Sequence, residues 1–476
     1  MSKRNFILLI IVLIILLIGV FGFLYFNQPK SGTTGSSTPG TNFFSQFGLG
    51  SGKTNTPPVV TPPTNVSGYQ PPAPVVAPKL IKVSSMPIAG FTFFMKERLK
   101  AVPVVAATAP STTPTTDNST TQSATSSSPT TSVITNTPST TPQTTTKSGK
   151  KVKAVKPTPP PTELVPALRY VAKSNGNIYE TFADNIAEGQ FSTTVIPQVY
   201  DAYFGNSGNS VAMRYLADEK TIATFLGTLP KEVLGADTIA NNSVKGSLLP
   251  NDIESIGVSG DASSMFYLFD SGDNMIGTTL NLATNKKVQA FNSPFTEWLA
   301  QWPNSKIITL TTKAASGIPG YMYTMDSSGK NFNQVLGNIN GLTTLTSPSG
   351  KLVLYGDDGL NLSVYNTDTN TSTLLGVKTL PEKCTWNSGS VTVYCAVPRS
   401  IDGGQYPDTW YQGEVSFSDQ IWSVDMKSGN TTLLVDPTTV SGGEDIDGIK
   451  LALDPSESYL SFVNKKDSFL WELNLK

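Results

Sequence analysis

From residue 164 onward, apolar and polar positions alternate in short runs, and each run ends in a cluster of Gly, Asn, Asp or Ser. That period-two texture predicts strands joined by tight turns. Helical spacing is scarce; AEGQF and FTEWLAQW are the only hints, and both are short. A self-similar unit recurs: an apolar strand, a tight polar turn, two further alternating strands, and a closing turn ending in Thr/Ser-Gly/Asn. Its best copy is LTSPSGKLVLYGDDGLNLSVYNTDTNTSTLL, residues 345–375. Further copies occupy residues 258–291, 302–336 and 453–476, with diverged ones at 204–226 and at 385–397 with 420–435.

The first turns of these copies centre on Ser207, Asp261, Asn304, Ser349, Ser388 and Ser456, giving spacings of 54, 43, 45, 39 and 68. Four antiparallel strands per unit at a period near 40 to 45 is the pattern of a β-propeller blade. The 68-residue step holds an insertion between Pro398 and Asp419. The SPSGK turn before an alternating strand and the closing D-x-x-[ST]-G at Asp425–Gly429 resemble TolB-like and WD-repeat propellers. No Trp-Asp dipeptide ends the strands, so the resemblance is to the looser TolB-like class, over nearly all of residues 164–476. It implies an all-β propeller and leaves function open, because propellers host unrelated activities.

LRYVAKSNGNIYETF, residues 168–182, reads as the second and third strands of a blade with no first strand immediately upstream. PIAGFTFFM, beginning at residue 87, is the apolar candidate for it, which makes residues 96–166 a disordered loop inserted between paired strands. Loop-closure entropy grows only as the logarithm of length, so such an excursion is tolerable. The blade count is then seven, with six or eight open. KLIKVSS, residues 79–85, would supply the outer strand of the last blade and close the ring, removing an exposed sheet edge. The alternative is that residues 79–95 form a separate adhesive segment.

Upstream, residues 7–26 are an uncharged apolar run of 20, long enough at about 1.5 Å per residue to cross a hydrocarbon core of roughly 30 Å. Lys3 and Arg4 precede it, so residues 1–6 are expected in the cytoplasm and the rest of the chain outside. A cleaved signal peptide would carry a shorter apolar core and a small-residue cleavage site; here the run ends in Phe23, Leu24, Tyr25, Phe26. The reading is therefore an uncleaved signal-anchor of the cell membrane. Residues 27–78 are a disordered Pro/Ser/Thr/Gly tether, and the propeller spans residues 79–476. Within the tether, FFSQF (43–47) is a candidate adhesive patch.

The net charge of −1 conceals two halves: 14 Lys/Arg against 3 Asp/Glu in residues 1–163, and 20 against 32 in residues 164–476. So acidic a folded part argues against binding a phosphate backbone, and no nucleic-acid partner is expected. Five lysines within residues 147–156 form a basic linker that could touch anionic polymers or headgroups. Cys384 and Cys395 flank Asn387-Ser388-Gly389-Ser390. With Gly389-Ser390 as a two-residue turn they fall opposite one another, and a longer turn staggers them. In an exported domain the pair points to a disulfide, the alternative being two buried thiols.

The chain contains no His, so Ser-His-Asp and Cys-His chemistry and the usual zinc sets are absent, and no metal or other cofactor is expected. GLGSGKT (48–54) lacks the first glycine, the preceding strand and the following helix of a phosphate loop. Paired carboxylates at a channel mouth would suit a glycan hydrolase, but the many Asp and Glu residues single out no pair. Arg169, Arg214 and Arg399 could serve a substrate carboxylate if they met. Asp445 and Asp447, beside Gly448, are candidates for a hard-cation site. The insertion 401–419 offers Tyr406, Asp408, Trp410, Tyr411 and Glu414 to stack a sugar or anchor a partner; the alternative is that these rings pack over their own blade. The sequence thus reads as a membrane-anchored, extracytoplasmic propeller that binds an envelope or extracellular protein or glycan, with no catalytic residues assigned. A glycan hydrolase and a scaffold for an envelope complex are the alternatives.

Overall fold

The computed structural model describes residues 79–100, 161–232 and 242–476. The apolar run 7–26, the tether 27–78 with FFSQF and GLGSGKT, and most of the 96–166 insertion lie outside the described residues. Among the described residues no helix is long and apolar enough to cross a membrane.

Seven four-stranded antiparallel sheets form the blades of a propeller ring. Blades 2 to 6 are contiguous, spanning residues 199–248, 253–293, 298–340, 343–378 and 384–435. Each of the six first turns located by sequence lies between the first and second strands of its blade. Blade 1 draws its inner strand, Ile88–Leu99, from across the insertion, and it pairs with Thr162–Ala172, Phe93 lying opposite Leu168. Blade 7 comprises Gly448–Leu453, Tyr459–Asn464 and Leu470–Asn474, and its outer strand is Leu80–Lys82, with Leu80 opposite Leu473. The ring therefore closes through a strand that precedes blade 1 in sequence.

Seven apolar clusters occupy the seven gaps between neighbouring blades. Because blades stack on both faces, their second strands are buried on both sides rather than alternating. Met265, Phe266, Tyr267 and Leu268 run consecutively and are all buried. Outer strands alternate or are largely exposed, as in Lys287–Ser293. Inner strands approach one another closely: a Cβ at Gly90 would stand 2.0 Å from the Ala202 carbonyl oxygen of blade 2.

Two sequence expectations change. The hairpin of blade 1 remains paired out to Leu99 opposite Thr162, so residues 96–99 and 162–166 are strand and not loop. Their charges give a loop-like composition, yet Arg98 lies between Glu163 and Asp184 at 2.7 Å each, which holds the ribbon together. The helical hints are also strands, Asn185–Gln190 and Trp298–Gln301, where pairing within the blade overrides local spacing.

The ring has two distinct faces. On one, called here the turn face, the first turns of successive blades are hydrogen-bonded: Asn304 Nδ2 donates to Pro348 O at 3.0 Å, Ser349 N to Ser390 Oγ at 3.0 Å, and Ser388 N to Glu457 Oε1 at 2.8 Å. The opposite, loop face carries the connections between second and third strands and between blades. Residue 79, the 101–160 segment and the 233–241 segment all join the ring on the turn face. The insertion within blade 6 stands on the loop face.

Candidate functional site

The insertion folds around a short helix, Asp408–Tyr411, over an apolar cluster of Leu360, Leu380, Tyr406, Trp410 and Phe417. Tyr406 stacks on Phe417 at 5.7 Å and Trp410 does so at 6.3 Å. Tyr406 and Trp410 are buried, Tyr411 is half-buried and Glu414 faces solvent. Asp408 reaches blade 4, where its Oδ2 accepts the Ser316 N–H at 2.8 Å. The Lys465 ammonium of blade 7 donates to the Trp410 carbonyl at 2.8 Å. Of the five residues singled out by sequence, the structure brings Asp408, Trp410 and Tyr411 onto one helix. Two of the rings serve as the insertion's own core.

Beneath the helix lies a fully buried charge cluster that sequence reasoning missed. Lys383 Nζ meets Asp419 Oδ2 at 2.7 Å, the Asp447 carboxylate, and the Gly448 carbonyl at 3.1 Å. Asp447 Oδ2 accepts from Trp410 Nε1 at 3.0 Å, Ser416 Oγ at 3.1 Å and Phe417 N at 3.0 Å. Trp410 and Phe417 also present their rings to the ammonium at 5.3 Å each. One carboxylate therefore pins the insertion to the ring and neutralises a buried lysine. Burial pushes the Asp419 carboxyl up to about 6, although the Lys383 charge pulls it down.

Asp445 and Asp447 do not share a cation site: Asp445 pairs with Lys466, and Asp447 turns inward to Lys383. Among the described residues no group of three or more His, Cys, Asp or Glu is placed to hold a metal ion. The three arginines are dispersed as well. Arg169 lies between the rings of Phe94 and Phe191 and donates to Gly208 O at 2.8 Å. Arg214 faces Asp201 at 3.4 Å, and Arg399 bonds Asp436 and Thr438.

Beside the insertion a cavity of about 360 Å³ is lined by the inner strands of blades 2 to 5 together with Thr311, Lys313, Glu382 and Tyr411. Its walls include Tyr203, Ile256, Leu299 and Thr344. Gln301 spans blades 4 and 5, donating to Thr344 O at 2.6 Å and accepting from Thr346 N at 3.0 Å. Glu382 is the one carboxylate among the lining residues, and it accepts the Tyr411 hydroxyl. Burial pushes the Glu382 carboxyl up, with the Tyr411 hydrogen bond opposing. The Tyr411 phenol is pushed up in turn, first by burial and then by the Glu382 charge. On the turn face a larger cavity, about 590 Å³, lies between the blade 1 ribbon and the turns of blades 2 and 3. Its Lys96 is engaged by Glu180 and Glu232.

Cys384 and Cys395 are directly opposed across the first hairpin of blade 6 and form a disulfide, their Cα atoms 4.1 Å apart.

No family model matches the sequence, and no curated protein matches it. Among solved structures the chain is similar to an oligogalacturonate lyase in complex with manganese, at 9% identity and a TM-score of 0.43, over 65% of this chain and 85% of that one. It is likewise similar to an oligogalacturonate lyase from Vibrio parahaemolyticus, at 7% identity and a TM-score of 0.43, over 65% and 86%.

Proposed function

We propose that the protein is an extracytoplasmic binding module, held to the cell membrane through residues 7–26, that engages an envelope or extracellular partner by rigid presentation of its loop face. The observation that supports this reading is the construction of the insertion. Tyr406, Trp410 and Phe417 are spent on its own core and its position is fixed by Asp447, Asp408 and Lys465, so it offers a preformed surface rather than a mobile arm. Preorganisation of that kind lowers the ordering cost of association.

The glycan-hydrolase reading rests on Glu382, whose raised carboxyl suits a general acid. A two-carboxylate mechanism needs a second group across the sugar, and the cavity lining supplies none. The scaffold reading calls instead for an apolar surface patch on the ring. Crosslinking in cells followed by capture of the full-length chain tests the proposal: a protein or glycan should be retained and should be competed by excess purified protein. Retention of nothing, or release of reducing ends from envelope glycans that Glu382→Gln abolishes, would overturn it.

A further inference from the structure

Charge is divided unevenly between the two faces of the ring. The connections of the loop face carry sixteen Asp and Glu against seven Lys and Arg, whereas the described connections of the turn face carry seven of each. Lys383 and Asp447 are buried against one another, so setting them aside leaves the difference intact. The acidic excess of the folded part is thus largely a property of one face. At an ionic strength near 0.15 M, fields of exposed charges extend roughly 8 Å, enough for the loops of one face to act together on a partner close to contact.

The same face holds apolar surface. Phe295, Val195 and Ile318, at 72%, 66% and 60%, are three of the five most exposed large apolar side chains among the described residues, and all three stand on loop-face connections. The 360 Å³ cavity is open to solvent, and several acidic residues stand close to its lining. Glu254 adjoins the lining residue Ser255, Glu297 holds the lining Lys313 at 2.8 Å, and Asp408 is on the helix that carries Tyr411. Asp358 faces the same blade 4 loop, accepting the Gly317 N–H at 3.2 Å. The described residues that flank the three remaining segments, 79, 100, 161, 232 and 242, all stand on the other face.

We infer that the loop face is a docking surface for a basic protein segment bearing an apolar side chain. The segment's Lys and Arg lie against Glu254, Glu297, Asp358 and Asp408, and its apolar group enters the cavity beside Tyr411. This rests on the binding reading above and specifies the partner's chemistry. An apolar anchor in a pocket supplies most of the affinity of such contacts, and the surrounding charges supply steering and salt dependence.

The test uses the full-length chain in non-ionic detergent and a fluorescent nine-residue peptide of Lys and Arg with one central Trp, followed by anisotropy at low and near-physiological salt. Binding should weaken about tenfold or more as salt is raised, since rim charges are screened. The triple variant Glu254→Gln/Glu297→Gln/Asp358→Asn, none of them buried, should lose about tenfold at low salt, while Asp368→Asn on the turn face stays within about twofold. Replacing the peptide's Trp by Gly should cost at least about fivefold at both salts. Equal binding by the triple variant, equal binding of a decaglutamate probe, or indifference to the Trp overturns the proposal. So does a rise of more than about threefold when the five lysines of 147–156 become Ala, because the chain's own segment would then be the occupant. A cellular partner whose capture ignores both salt and the triple variant leaves the binding module standing and removes this inference.

Discussion

Lys383 is an ammonium with no exposure, held by Asp419 and Asp447. Such groups are stable only while every partner is present, because desolvation of an unpaired charge costs several kcal/mol. Nothing in PEK, residues 381–383, distinguishes this lysine from a surface one, since burial is decided by how blades 6 and 7 meet. Glu472 poses the complementary case. It is 2% exposed, its nearest described donor is Ser461 Oγ at 3.4 Å, and burial pushes its carboxyl up to about 8. The folded state therefore binds this proton more tightly than the unfolded chain, where a glutamate titrates near ~4.3. Its contribution to stability is full below that value and is lost as pH rises through about 8. Denaturant titrations at acid, neutral and alkaline pH should show stability falling by a few kcal/mol over that window, with Glu472→Gln flattening the fall. An unchanged slope in the variant would place the titrating group elsewhere. Asp419 acts with the same sign over a lower window that ends near 6.

At the level of elements, turn chemistry carried most of the information. Ser207, Asp261, Asn304, Ser349, Ser388 and Ser456 all stand in the first turns of their blades, because the polar hairpin between two apolar strands has a strong local signature. The opposition of Cys384 and Cys395 was legible for the same reason: a short turn fixes register. The ribbon of blade 1 was legible only in its apolar half. Lys96, Glu97 and Arg98 continue it through cross-strand charge pairing, which composition cannot separate from a loop. The helix of the insertion was not legible, since it is a single turn stabilised by contacts to blades 4 and 7, although inward packing of rings such as Tyr406 and Trp410 was one of the two readings open. The disulfide closes a loop of 11 residues' separation, for which the loss of unfolded-chain entropy amounts to about 2–3 kcal/mol. Melting with and without reductant should show a drop of a few degrees, and the Cys384→Ser/Cys395→Ser variant should match the reduced protein; an unchanged melting temperature would show that the hairpin holds itself.

For the whole molecule, the decisive feature is that the ring borrows two strands from upstream of its apparent start. Composition suggests a domain beginning near residue 164, yet Leu80–Lys82 completes blade 7 and Ile88–Leu99 completes blade 1. A chain begun at residue 164 would lack both strands and expose the edges they cover. Size-exclusion chromatography should find it aggregated, whereas a chain begun at residue 79 should elute as a discrete, cooperatively melting species. If the shorter chain is equally soluble and cooperative, the borrowed strands are dispensable. Fold at this scale was readable because blades repeat. The chemistry of the loop face was not, because it depends on which loops the ring gathers on one side.

The strand Leu80–Lys82 has a further, mechanical consequence. Its first residue sits on the turn face and it lies antiparallel to Leu470–Asn474, so tension between residue 79 and a hold on the loop face runs along the strand and loads its ladder in shear. Only three residues bear that load, followed by the bonds from Val83 N to Leu470 O at 2.8 Å and from Ile88 N to Ser468 O at 2.8 Å. The clasp of the ring is thus also the first link in the line of force from any upstream tether. Optical-trap pulling between residue 79 and the exposed loop-face residue Gly403 should show a small initial extension as the clasp slips, before the blades rupture. A single rupture event without that step would show that the ring fails as one body.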